Sequence, residues 1–155
     1  MRRTARTRKR VLAVASGGGH WVQLLRLRPA FEGCDVSYLT TSGGYQRDVV
    51  GARVFVVNDA SRWNKIGLGV MTMRVAWVLL RERPNVIVTT GAAPGYIALR
   101  IGKMMGARTV WIDSIANAEE LSMGGRLAGN LGGLWLTQWE HLASEGGPQY
   151  AGAVV

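Results

Sequence analysis

A turn able to bind an anion, or to support acid–base chemistry, follows the first apolar run of the sequence. The run Val11–Ala15 ends at Ser16, and the three glycines Gly17–Gly19 lead directly into His20. Glycines between a strand and a helix let backbone N–H groups approach an anion, which the helix dipole also favours. A neutral imidazole beside such a turn can act as a general base toward a hydroxyl. The alternative for His20 is a structural role, in which its ring only hydrogen-bonds the loop.

Two further loops that could carry chemistry follow apolar runs. Thr89–Gly95 contains two glycines, and Asp113–Asn117 begins with a carboxylate and a hydroxyl. Asp113 is a second candidate base, with an N-cap of the following turn as the structural alternative. The second histidine, His141 in the segment WEHLA, is interpreted as structural.

The elements that must position these loops alternate along the chain. The apolar runs, rich in β-branched residues, predict strands at Val11–Ala15, Val36–Thr40, Val54–Val57, Val86–Thr90, Val110–Asp113 and Leu134–Thr137. Helical patterns lie between them, near His20–Phe31, Tyr45–Val50, Ile66–Arg83, Gly95–Met105 and Leu121–Gly132. This alternation predicts an α/β domain, a Rossmann-like three-layer fold with a parallel sheet. Ligands in such folds bind outside the carboxyl ends of the strands. With the usual strand order, the first and fourth strands are neighbours and their glycine turns face one crevice.

Two common nucleotide sites do not fit the glycine turn. The dinucleotide pattern fails because Trp21 and Val22 stand where a third glycine is needed. The second predicted strand ends in Leu39, Thr40 and Thr41, with no acidic residue to bind a ribose hydroxyl. A P-loop is excluded because no Gly-Lys-Ser/Thr occurs. An NAD-dependent oxidoreductase is therefore disfavoured.

Composition gives one globular domain of 155 residues with a net charge of +9. Much of this charge lies in residues 1–10, predicted as a basic arm that precedes a single domain at 11–155. The arm is either a solvated segment or a contact for nucleic acid or an anionic membrane surface. The single cysteine, Cys34, excludes an internal disulfide and a Cys-based zinc site and fits a reducing, cytosolic location.

A long apolar segment, Ile66–Leu80, contains one charged residue, Arg74, and has basic flanks. It is too short to span a membrane comfortably. The segment is either a buried helix of the α/β layer or a helix with a second face that meets lipid. On the second interpretation the membrane-facing residues are Arg2, Arg3, Lys65, Ile66, Leu68, Val70, Met71, Arg74 and Trp77.

Three segments together resemble a known family. The stretches ASGGGHWVQLL, RPNVIVTTGAAPG and WIDSIANAEELSMGGRLAGNLGGLWLTQWEHLA are similar, in this order, to the oligosaccharide-biosynthesis family called Alg-fourteen-like. Its eukaryotic member is the membrane-anchored, acceptor-side subunit of a two-chain UDP-N-acetylglucosamine transferase. Bacterial members serve exopolysaccharide and capsule assembly. The resemblance extends from about Val11 through the rest of the sequence.

The resemblance implies the amino-terminal half of a GT-B glycosyltransferase, with a separate donor-binding subunit that holds the UDP-sugar. This chain would bind a polyprenyl-diphosphate-linked acceptor for an inverting transfer, with His20 or Asp113 as the base and no cofactor or metal. Asp113 could instead orient the acceptor sugar. Ala92 and Ala93 stand where more glycine or polar character is expected. The residues expected to bind the acceptor and its diphosphate are Ser16, Gly17, Gly18, Gly19, Gly91, Ala92, Ala93, Gly95, Ser114 and Asn117.

The resemblance also implies a location and an interface. Eukaryotic members have a transmembrane anchor before the glycine turn, where this sequence has the basic arm, so we expect peripheral attachment to the cytoplasmic face of the cell membrane. Gln138, Trp139 and Tyr150 are the expected contacts with the donor-binding subunit. The alternative function is a free-standing nucleotide or nucleic-acid binding module that uses the arm. It is disfavoured because the arm has no aromatic residues to stack on bases, so we expect no nucleic-acid partner.

Overall fold

The structure, a computed structural model, describes residues 7–155. Predictions that involve Arg2, Arg3 and the rest of the arm before Thr7 lie outside the described residues. The last residue of the predicted arm, Arg10, is the first residue of a strand.

A sheet of parallel strands organises the described chain. Its strands are β1 Arg10–Val14, β2 Asp35–Thr40, β3 Arg53–Val56, β4 Val86–Thr89, β5 Arg108–Ile112, β6 Leu134–Thr137 and β7 Gln149–Tyr150. Their order is β3-β2-β1-β4-β5-β6-β7, and every neighbouring pair is parallel. The predicted parallel sheet is confirmed, as is the pairing of the first and fourth strands. β7, with only two residues, has too little sequence pattern to be predicted.

The helices differ more from prediction than the strands do. They are α1 Gly19–Arg26, α2 Lys65–Glu82, α3 Ala92–Met104 and α4 Met123–Gly129, with 3-10 turns at Arg28–Phe31, Gly43–Val49 and Glu140–Leu142. The helix predicted to reach Phe31 ends at Arg26 because Pro29 disfavours helical backbone before it, and the chain continues as a 3-10 turn. α4 starts at Met123 because the Ser122 hydroxyl caps it, accepting from the Gly125 amide at 2.9 Å.

Helical layers cover both faces of the sheet and make the three-layer fold. On one face α3 packs between α2 and α4, over a core that includes Leu12, Leu39 and Trp111. On the other face α1 and the 3-10 turns bury Trp21 and Phe31. The strands are therefore apolar on both sides, as the near-continuous apolar runs predict.

Helix α2 has two apolar faces. Met71, Val75, Val78 and Leu79 are buried against the sheet. The opposite face exposes five apolar side chains at alternating spacings of four and three residues, here called the α2 stripe: Ile66, Val70, Met73, Trp77 and Leu80. The interpretation as a helix of the α/β layer is confirmed for the buried face, and contact of the exposed face with lipid stays a prediction.

One of the residues predicted to face the membrane is buried instead. Met71 is fully buried in the core, so its inclusion in that surface is wrong; its helical phase places it opposite the stripe. Lys65 and Arg74 are exposed, whereas Leu68 is half-buried. Among residues 7–155, no helix combines the length and apolar character required to cross a bilayer.

These opposite environments give a stability prediction. Met71→Ala should lower the free energy of unfolding by about 3 kcal/mol, because it leaves a cavity in a packed core. Met73→Ala, two residues along the same helix and 74% exposed, should change it by less than about 0.5 kcal/mol. Urea unfolding followed by circular dichroism measures both. Equal effects of the two substitutions would contradict the assignment of the faces.

Candidate functional site

The β1–α1 and β4–α3 turns meet at the carboxyl edge of the sheet, as the sequence predicts. His20 Nδ1 lies 2.9 Å from the carbonyl oxygen of Thr90, and the Thr90 hydroxyl donates to the carbonyl of His20 at 2.6 Å. A carbonyl only accepts, so Nδ1 carries the proton of the neutral ring. His20 Nε2 is then the lone-pair nitrogen, and within residues 7–155 it makes no hydrogen bond. This is the arrangement a general base requires.

The close approach of the His20 ring requires a glycine at position 91. The backbone of Gly91 has φ = 132°, and a Cβ built there would lie 2.8 Å from His20 Cε1. Ala92, the next residue, has φ = 70°, which is uncommon for a residue other than glycine. Strained backbone of this kind concentrates at functional sites. The β4–α3 turn is thus shaped around the histidine.

The glycine turn itself is partly occupied by a residue that sequence reasoning missed. The Tyr45 hydroxyl accepts a hydrogen bond from the Gly18 amide at 2.8 Å, and its ring stacks on Trp21 at 4.8 Å. Gly17 leaves room for this contact, since a Cβ there would lie 3.1 Å from the same hydroxyl. One amide predicted to face an anion therefore has a protein partner. Gly18 and Gly19 are exposed, and Gly18 has φ = 63°.

Asp113 clamps the loop that follows β5. It is 2% exposed and accepts hydrogen bonds from the Trp111 indole (3.0 Å), the Ser122 amide (2.9 Å) and the Ser122 hydroxyl. Asn117 Nδ2 lies 3.5 Å from its second oxygen. A carboxylate this fully engaged holds residues 114–122 in place, and the N-cap of α4 is Ser122 instead. The geometry favours a positioning role over that of a base.

Buried glutamines support the same wall from behind. Gln138 Nε2 donates to Gln23 Oε1 (2.6 Å) and to the Asp113 carbonyl (2.9 Å), while Gln23 donates to the Ser114 hydroxyl (3.1 Å). Gln138 Oε1 accepts from the amide of Val154 (2.8 Å). Gln138 is 4% exposed, so the prediction that it contacts a partner chain is wrong.

The other two residues of the predicted interface remain at or near the surface. Trp139 is half-buried and donates from its indole to the Ile115 carbonyl at 2.8 Å. Tyr150 is 43% exposed on β7, the last strand of the described sheet.

A cleft of about 460 Å³ opens beside the His20 ring. Five predicted site residues line it: His20, Ala92, Ala93, Ser114 and Asn117. The predicted residues Ser16, Gly17, Gly18, Gly19, Gly91 and Gly95 lie outside its lining. Gly95 is buried and keeps α3 close to β4, since a Cβ there would overlap Thr89. Most of the lining is apolar and includes Tyr96, Met123 and Leu127.

Arg62 supplies the charge of the cleft and was also missed. It lies in the loop between β3 and α2, which has no glycine and no recognisable motif. Its guanidinium lies 4.7 Å from the centre of the Trp63 ring and 3.6 Å from Met123 Sδ. Within residues 7–155, Arg62 has no carboxylate partner, and the cleft lining contains no Asp, Glu, Lys or second Arg. No group of three or more potential metal ligands occurs in the part of the chain that the structure describes.

Comparison with known proteins identifies the class of fold. No family model matches the sequence, and no curated protein matches it. Solved structures of GT-B type do match, so the fold is that of one half of a GT-B protein. The chain spans less than half the length of the MurG and epimerase chains that it matches.

Three of these matches show the extent of the likeness. Acinetobacter baumannii MurG aligns with a TM-score of 0.73 at 12% identity, over 92% of this chain and 45% of that one. UDP-N-acetylglucosamine 2-epimerase from Rickettsia bellii aligns with a TM-score of 0.64 at 15% identity, over 86% of this chain and 40% of that one. The UDP-GlcNAc 2-epimerase of Neisseria meningitidis, solved with UDP-GlcNAc bound, aligns with a TM-score of 0.58 at 12% identity, over 84% of this chain and 39% of that one. At these identities the likeness shows the fold.

The hydrogen bonds of Asp113 give a prediction. Asp113→Asn replaces an acceptor oxygen with an amide donor that faces the donors of Ser122, so it should destabilise the fold by about 2 kcal/mol. Asp59→Asn is the matched control, because Asp59 is exposed and makes no side-chain hydrogen bond within residues 7–155. Hydrogen exchange of the amides in residues 114–122 should accelerate only in the first variant. Unchanged exchange there would contradict the clamp.

Proposed function

We propose that this chain is the acceptor-binding half of a two-chain inverting glycosyltransferase. The pair would move a sugar from a UDP-sugar to a polyprenyl-diphosphate-linked saccharide in polysaccharide or lipid-linked oligosaccharide biosynthesis. The observation that carries the proposal is the His20 ring, fixed by Thr90 with Nε2 free at a cleft, in a fold equivalent to one half of a GT-B protein.

The proposed chemistry follows from the His20 geometry. Nε2 takes the proton of the acceptor hydroxyl, and the hydroxyl oxygen bonds to the anomeric carbon of the donor sugar. The bond between that carbon and the UDP oxygen breaks, and UDP leaves with the electron pair. Attack from the side opposite UDP inverts the anomeric centre. Asp113 contributes by holding the loop that carries Ser114 and Asn117, which line the cleft.

Arg62 is the residue best placed to bind the acceptor's diphosphate. A guanidinium binds phosphate oxygens through paired N–H donors, and Arg62 has no carboxylate partner within residues 7–155. The amides at the exposed end of the glycine turn, at Gly19 and His20, begin α1 and favour negative charge. Apolar side chains beyond Arg62, Trp63 (81% exposed) and Ile66 (84% exposed), offer a path for the polyprenyl chain toward the α2 stripe.

Two associations complete the proposal. A separate donor-binding subunit would supply the UDP-sugar and meet this chain near Trp139 and Tyr150. The α2 stripe and its basic flanks would rest on the cytoplasmic face of the membrane, where an interfacial helix places apolar side chains in the headgroup region. The test is reconstitution of this chain with the donor-binding protein that co-purifies with it in mild detergent. The pair should transfer sugar to a polyprenyl-diphosphate acceptor, and transfer by either chain alone would contradict the proposal.

Substitution of His20 tests the base. His20→Gln keeps a polar side chain but removes the basic nitrogen, so kcat of the reconstituted pair should fall by about 10²- to 10⁴-fold. His141→Gln is the control, because His141 is exposed and its Nε2 only contacts the Ala118 carbonyl. Product formation from a radiolabelled UDP-sugar measures both. A His20→Gln pair as active as wild type would eliminate His20 as the base.

Substitution of Arg62 tests diphosphate binding. Arg62→Gln should raise the KM for the acceptor about tenfold or more, because a charge-assisted hydrogen bond contributes roughly 1.5–3 kcal/mol. The KM for the UDP-sugar should stay unchanged, since the donor is bound mainly by the partner. Arg47→Gln removes another exposed arginine, from the turn Gly43–Val49, and serves as the control. An unchanged acceptor KM in Arg62→Gln would refute this role.

A further inference from the structure

A basic pocket lies at the amino edge of the sheet, opposite the cleft. Two adjoining cavities of about 650 and 390 Å³ share Arg10, Asn85 and Arg108 in their linings. Arg83 lines the larger cavity, and Arg8 and Lys9 line the smaller one. We call these five basic residues the amino-edge pocket: Arg8, Lys9, Arg10, Arg83 and Arg108.

Carboxylates do not neutralise this pocket. No Asp or Glu within residues 7–155 lines either cavity. Asp35 lines a third cavity, which shares Arg8 and Arg10 with the smaller one, but its carboxylate is already paired with Arg53 at 3.1 Å. Like charges brought together without counterions favour an anionic ligand.

Hydrogen bonds to the backbone and the side chain of Asn85 hold the pocket in shape. The Asn85 amide donates to the Arg10 carbonyl (2.8 Å), and the Arg10 amide donates to Asn85 Oδ1 (2.8 Å). The Arg108 amide donates to the Asn85 carbonyl (2.9 Å). Arg10 and Arg108 are therefore fixed on either side of β4, at the starts of β1 and β5.

The Arg10 guanidinium is also partly oriented. Its Nε donates to the carbonyl of Arg83 at 2.8 Å, and Arg83 adopts left-handed backbone with φ = 45° at the end of α2. Within residues 7–155, the two terminal nitrogens of Arg10 make no hydrogen bond. A planar guanidinium anchored through Nε presents those nitrogens together, which suits the oxygens of a phosphate.

The pocket is continuous with the α2 stripe. Leu80, the last residue of the stripe, lines the larger cavity together with Met105. The stripe extends along the exposed face of α2 toward Ile66, near the cleft, over a helix of 18 residues or about 27 Å. An apolar helix face that ends in basic residues is typical of a surface that lies flat on an anionic bilayer.

We propose that the amino-edge pocket binds the phosphate of an anionic phospholipid headgroup while the α2 stripe lies on the bilayer. This inference rests on the membrane association proposed above and is independent of the transfer reaction. It gives the molecule an orientation: α2 lies parallel to the membrane, with the pocket at one end and the cleft at the other. A nucleic acid fits less well, because Leu80 and Met105 beside the arginines offer no aromatic face for stacking bases.

Vesicle sedimentation with the full chain tests the inference. One vesicle is phosphatidylcholine, and the other is an equal mixture of phosphatidylcholine and phosphatidylglycerol. The double variant Arg83→Gln/Arg108→Gln should bind the anionic vesicle about thirtyfold more weakly than wild type and the neutral vesicle equally well. Both arginines are exposed, and within residues 7–155 their side chains make no hydrogen bond, so the variant should unfold at the wild-type urea concentration.

A charge-matched control separates the pocket from net charge. Arg28→Gln/Arg47→Gln removes two exposed arginines from the layer on the other face of the sheet and should weaken binding by less than about threefold. Equal losses in the two double variants would overturn the inference. So would tighter binding of single-stranded RNA through the same arginines.

Substitutions in the α2 stripe separate binding of the bilayer from binding of the headgroup and from sugar transfer. Met73→Ser/Trp77→Ser should weaken binding to both vesicles, because it removes exposed apolar area. Failure of the wild-type chain to bind either vesicle would overturn both the membrane association and the headgroup pocket, whereas sugar transfer by the reconstituted pair is measured separately in detergent.

Discussion

Two hydrogen bonds of opposite direction between His20 and Thr90 join the turns that follow the first and fourth strands, and the rest of the site depends on them. They form only because β1 and β4 are neighbours, so the sheet order is a precondition of the site. They also require Gly91, since a side chain there would displace the ring. A neutral imidazole anchored through Nδ1 presents Nε2 as an acceptor. The pairing of β1 with β4 thus places a ring nitrogen with a free lone pair beside the cleft.

The other features described above lie at the two edges of the sheet and on helix α2, which runs between those edges. At the carboxyl edge, Asp113 and the buried glutamines hold a rigid wall beside an apolar cleft whose cation is Arg62. At the amino edge, arginines gather around Asn85. Helix α2 spans the distance with one face in the core and the other exposed. The cleft with its arginine and the exposed face of α2 are the features on which the proposed acceptor binding and membrane association rest.

The sequence predicts the sheet well because buried parallel strands are short, apolar and bounded by turns, and all six predicted strands are present. The sequence predicts less well which side of a helix is buried and which residues a polar side chain contacts. Both depend on packing between residues that are distant in the sequence. In a helix that is apolar on two faces, the sequence does not tell whether Met71 is buried or exposed. Its packing against the sheet shows that it is buried. From the sequence, Gln138 is expected at the surface because it is polar. In the structure it is buried, and its side-chain amide donates to Gln23. Tyr45 and Arg62 come from loops without a recognisable motif, so nothing local marks them.

The most direct test of the account is the tautomer of His20. Two-dimensional ¹⁵N NMR of the imidazole rings, with His141→Gln to assign the signals, reports which nitrogen carries the proton of the neutral ring. The structure predicts a protonated Nδ1 and an unprotonated Nε2, because the Thr90 carbonyl can only accept. A ring protonated at Nε2 would contradict the hydrogen bond to Thr90, and with it the proposed base.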